Sequence, residues 1–90
     1  MIPKNKKPLK SKKVKVIDYL GTYYATINGS SLWEMDKAAF AIWKLCDGKK
    51  TFEELVEIVS KKSGIKAEEL RPLIKKILEE LTELGFIEWI

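Results

Sequence analysis

The sequence predicts an α+β domain in which a three-stranded N-terminal antiparallel sheet is followed by three helices. Three observations predict it: strand-like residues at short spacing between 14 and 35, a change to a period near 3.6 from Asp36 onward, and a turn or cap signal at each boundary. A chain of 90 residues holds one such domain rather than two.

Val14, Val16 and Ile17 open the first strand and Tyr19-Leu20 close it, with Gly21-Thr22 as a short turn. The second run, Tyr23 to Ile27, is aromatic and β-branched, and the Asn28-Gly29 that follows favours the positive φ angles of a tight hairpin. Leu32 to Met35 make a short third strand. Asp36 then reads as an N-cap, with Met35 before it and Phe40 placed for a hydrophobic staple. The first helix runs to about Cys46 and stops at Asp47-Gly48, because glycine tolerates the left-handed conformation that closes helices. Thr51-Phe52-Glu53-Glu54 has the form of a capping box and starts the second helix, which Ser63-Gly64 ends. The third begins between Lys66 and Pro72, a residue suited to a first turn, and ends at Gly85. Phe86 to Ile90 look extended and suit a final wing-like strand.

Composition removes most chemistry. One cysteine and no histidine leave too few ligands for a structural zinc site and no imidazole base, so neither metal nor cofactor is expected. Cys46 reads as a core thiol. The pairs Glu53-Glu54, Glu68-Glu69 and Glu79-Glu80 are helix neighbours whose side chains diverge by about 100° and do not converge on one reacting atom. No phosphate loop and no nucleophile beside a base appears, so an enzyme is not expected. With no signal-like or membrane-length apolar run, the expected address is cytoplasmic.

Charge divides along the chain. Residues 1–15 hold seven lysines and no acid; of the 17 Lys and Arg, the ten that remain face 13 Asp and Glu. The expected organisation is a basic, disordered arm over 1–13 and a folded, mildly acidic domain over 14–90. Of Tyr23, Tyr24, Trp33 and Trp89 at most half can share one surface, because alternate strand residues face opposite ways, and this disfavours a base-stacking platform.

A small antiparallel sheet leaves edges that must be covered, charged or used. If the third strand's outer edge lies beside the third helix, the two make a groove that accepts an extended peptide as a further strand. The same open edge admits pairing between two copies of the chain.

The stretch from Leu32 to Thr51, and within it Ile42-Trp43, Leu45, Asp47-Gly48 and Thr51, resembles the PqqD family. The second helix and the Leu81 to Ile87 segment continue the resemblance, which covers about residues 14 to 90. It implies a winged-helix-like domain of the kind called a RiPP recognition element, which binds the leader of a ribosomally made precursor peptide and presents it to a modifying enzyme, often a radical SAM enzyme. On that resemblance Leu32, Trp33 and Glu34 line the strand wall of the groove, and Leu73, Lys76, Ile77 and Glu80 the helix wall. Leu73 departs from the family pattern, where an acidic residue commonly stands, and this leaves the groove's charge preference open.

The rival is a winged-helix DNA-binding regulator. Such a recognition helix brings bases to phosphates, whereas Ala67 to Leu84 hold Arg71, Lys75 and Lys76 against Glu68, Glu69, Glu79, Glu80 and Glu83. That balance disfavours nucleic acid.

Overall fold

A computed structural model describes residues 2–29 and 31–90. Its elements in order are strands β1 (Pro8–Lys10), β2 (Lys15–Tyr19), β3 (Thr22–Thr26) and β4 (Trp33–Met35), helices α1 (Lys37–Leu45), α2 (Phe52–Ser63) and α3 (Ala67–Glu83), and strand β5 (Ile87–Trp89). The fold is α+β. β2, β3 and β4 form the three-stranded antiparallel sheet in that order, and β1 pairs with β5 in a second, two-stranded antiparallel sheet. The element order fits a winged-helix-like domain.

The second sheet corrects the expectation of a free arm over 1–13. Pro8 pairs with Trp89 and Lys10 with Ile87, while Leu9 bridges to Asp47. Lys7 and Ile90 exchange backbone hydrogen bonds of 2.8 and 3.0 Å, and the Gly48 N–H donates to the Pro8 carbonyl at 2.9 Å. Pro8 is fully buried. The lysines obscure this strand in the sequence, because their side chains reach water while the backbone between them pairs.

Local signals explain the helices. Asp36 accepts the Ala39 N–H at 2.7 Å and caps α1. Thr51 and Glu54 each accept the other's backbone N–H, completing the capping box of α2, and Gly64 closes that helix at φ 75°. Pro72 stands in the sixth position of α3, beyond the first turn, on the exposed side where water can serve the carbonyl it leaves unmatched.

Two turns differ from expectation. The β2–β3 turn is Leu20-Gly21, one residue earlier than expected, with φ angles of 52° and 84°. The β3–β4 connection is longer than a two-residue hairpin. Within it the Thr26 hydroxyl accepts the Gly29 N–H, and the Asn28 side chain accepts the Ser31 N–H.

α3 packs against α1, α2 and β5. Leu55, Val56, Ile74, Leu78 and Phe86 fill the centre. The sheet turns Ala25 and Met35 into this core and stacks Tyr23 on Phe40 of α1 with ring centroids 3.9 Å apart. Its other face carries Ile17, Tyr19 and Glu34 to solvent.

Candidate functional site

β4 is the outer strand of its sheet. Trp33, Glu34 and Met35 pair with Ala25, Tyr24 and Tyr23 on one side. Among the described residues, no other strand lies along the opposite side. The C-terminal tail, the segment best able to fill that edge, pairs with β1 instead.

The wall opposite β4 is α3. A cleft of about 100 Å³ is bordered by Trp33 to Asp36 of β4 and its exit, Ala39 of α1, Ile77, Glu80, Leu81 and Leu84 on and just beyond α3, and Phe86. Each wall is fixed from behind. Met35 anchors β4 in the core, and Leu78 and Leu81 anchor α3. The Phe86 carbonyl accepts both the Trp43 Nε1–H at 3.1 Å and the Ser11 N–H at 3.0 Å, which holds the floor in place.

A wider apolar depression of about 620 Å³ lies further toward the start of α3. Ala38, Ala41 and Ile42 of α1, Val59 and Lys62 of α2, and Leu70, Leu73, Ile74 and Ile77 of α3 border it. Ile77 belongs to both. The alanines explain the space: at positions 38 and 41, one helical turn apart, α1 presents only methyl groups.

Of the residues expected at the site, Trp33, Glu34, Ile77 and Glu80 meet at the cleft. Leu73 borders the wider depression instead. Leu32 and Lys76 are exposed and border neither. Leu32, Trp33 and Leu73 are 57%, 53% and 58% exposed, and large apolar side chains away from the cleft such as Tyr19 and Leu20 are exposed as well. The sequence reasoning missed the contributions of Asp36, Ala39, Leu84 and Phe86. The small residues of α1 were the available signal.

Burial pushes the Cys46 thiol up to about 12, and its Sγ–H donates to the Ile42 carbonyl. Glu54 is held below its ordinary value by the Thr51 N–H and hydroxyl, a capping role, and Glu53 pairs with Arg71 at 3.1 Å. Tyr23, Phe40 and Trp43 stack in succession, while Trp89 donates its Nε1–H to the Thr82 hydroxyl.

The family model for coenzyme PQQ synthesis protein D (PqqD) matches residues 16–87. The chain belongs to the PqqD family. No curated protein and no solved structure matches it. PqqD-family proteins are peptide-binding accessory proteins rather than catalysts. The matched span takes in β4, all three helices and the start of β5, and it leaves out β1. No helix among the described residues is long and apolar enough to cross a membrane.

Proposed function

We propose that this PqqD domain binds the leader segment of a ribosomally synthesised precursor peptide as an added strand on β4 and presents it to a modifying enzyme, of the radical SAM class. One observation carries the reading: among the described residues no strand pairs with the outer edge of β4, which faces α3 across a cleft lined by Trp33, Ile77 and Leu84 with carboxylates beside them. An extended peptide laid there completes the backbone hydrogen bonds of β4, and its alternate side chains drop toward Trp33, Ile77 and Leu84. The domain contributes position, and the chemistry belongs to the partner.

The test is a backbone amide NMR titration with synthetic leader peptides taken from short reading frames beside the gene. Binding as an added strand moves the amides of residues 33 to 35 and of Ile77 and Glu80. Shifts confined to the β1–β5 sheet, with 33 to 35 unmoved, would overturn the proposal. A radical SAM enzyme encoded alongside, retained by the domain only when the peptide is present, would identify the partner.

A further inference from the structure

The two depressions along α3 differ in kind. The β4–α3 cleft is bordered by Glu34, Asp36 and Glu80, and no lysine or arginine borders it among the described residues. The wider depression is bordered by no carboxylate; its walls are aliphatic, with Lys44 and Lys62 at the rim. The Lys44 ammonium leans away over the Phe40 ring at 5.5 Å, so mainly its stem is offered there. Both are bordered by Ile77, and their α3 linings together run from Leu70 to Leu84, about 21 Å at about 1.5 Å per helical residue. About six residues of extended chain span that length at about 3.3 Å each.

We infer that the bound peptide is a basic–apolar segment about six residues long, with one or two Lys or Arg seated in the β4–α3 cleft and large aliphatic or aromatic side chains filling the depression between α1, α2 and α3. This inference rests on the proposed strand addition and adds to it the ligand's charge and order. The carboxylates set the first half. Within a Debye length of about 8 to 10 Å an approaching cation is attracted by Asp36 and Glu80 at the cleft, with Glu34 reaching solvent from the other face of β4, whereas an acidic side chain seated in the cleft would meet no bordering cation among the described residues. Leu73 sets the second half. An acidic residue there would place a charge on the apolar wall, and its aliphatic side chain instead offers contact area.

Four fluorescein-labelled ten-residue peptides, each made in both orders along the chain, test this. One carries two lysines and two leucines; the others replace the lysines by glutamates, the leucines by serines, or both. Fluorescence polarisation should rank the Lys–Leu peptide at least about tenfold tighter than its Glu–Leu counterpart at low salt, with the gap narrowing as salt rises. Glu80→Lys should narrow or invert that ranking. Leu73→Asp, at an exposed position, should remove the advantage of leucine over serine while sparing the lysine preference. Unfolding curves for both variants confirm that each is folded, and Glu80→Gln and Leu73→Ala serve if either is not.

Equal affinity for Lys and Glu peptides, with the amides of 33 to 35 still shifting, would overturn this inference and leave strand addition standing. An unchanged leucine advantage in the Leu73 variants would remove the apolar half. No shift at 33 to 35 with any peptide would remove the docking site and this inference together.

Discussion

The two sheets solve the same problem in opposite ways. β1, three residues near the start of the sequence, is met on both sides: β5 pairs along one, and Cys46 to Gly48 lie along the other through the Leu9–Asp47 bridge and the Lys10 and Gly48 hydrogen bonds. β4 is also three residues long and begins from an equally short ladder, yet its outer side has no strand against it among the described residues. Unpaired strand edges invite association, so under the proposed function the open edge is the docking surface and the closed one a structural seam.

Removing residues 2–10 is the harshest test of the closed side. It deletes the Lys7–Ile90 pair of hydrogen bonds, the Gly48 and Lys10 bonds to the seam, and the buried Pro8. At about 1 kcal/mol per bond the loss is about 4 kcal/mol, read from urea unfolding. A loss below about 1 kcal/mol would mean that β1 adds little and that the two edges do not differ as described.

On the open side the effects should fall on binding rather than folding. Trp33→Ala should weaken leader peptide affinity by about 2 kcal/mol, roughly thirtyfold, while moving the unfolding free energy by less than about 1 kcal/mol, because the indole is half exposed. Calorimetric titration and chemical unfolding on one sample separate the two quantities.

Glycines sharpen the contrast further. A Cβ on Gly48 would lie 3.0 Å from Ile90 Cδ1 and 3.2 Å from Leu9 Cδ1, whereas one on Gly21 meets nothing within 4 Å; both residues have positive φ. Gly48→Ala should therefore cost about 1 kcal/mol more than Gly21→Ala. Part of that excess should vanish when residues 2–10 are absent.

A smaller gain is available at the β2–β3 turn. Leu20 is 89% exposed and sits at φ 52°, where a branched hydrocarbon side chain is strained and asparagine is favoured. Leu20→Asn should stabilise the domain by about 0.5 kcal/mol in thermal unfolding and leave peptide affinity unchanged.

The subtlest effect is the pH response of the seam. Asp47 bridges to Leu9 and accepts hydrogen bonds from the Lys50 ammonium and then the Lys49 N–H, which hold its carboxyl below the ordinary value of 3.8. Because the folded value is the lower one, its contribution is complete above the ordinary value and is lost as the pH falls through the folded one. The urea midpoint should decline in that acid range. Asp47→Asn should flatten the decline.

What was legible in the sequence was whatever acts over a few residues. Asp36, the Thr51–Glu54 box, Gly64 and Gly85 mark helix ends through bonds or backbone angles spanning three or four positions, and each stands where its residue type requires. The β1–β5 seam was not legible. Its partners lie at opposite ends of the chain, and the composition of Lys4 to Lys13 favours solvation over pairing. The site divides similarly. The strand and the helix that form the walls follow from period and order, while Trp33, Glu34, Ile77 and Glu80 were expected there from the family resemblance. The contribution of Phe86, and the shift of Leu73 toward the α1–α2 side, depend on how three helices cross and carry no local signature.

The Lys10 N–H binds the Cys46 carbonyl at 2.9 Å, and the sulfur behind it has no contact with water and is held protonated. The only thiol in the chain is thereby a clock for the opening of the core beside the clasp that its backbone joins. Its modification by a thiol reagent reports how often that core opens, without a label on any surface that meets a partner.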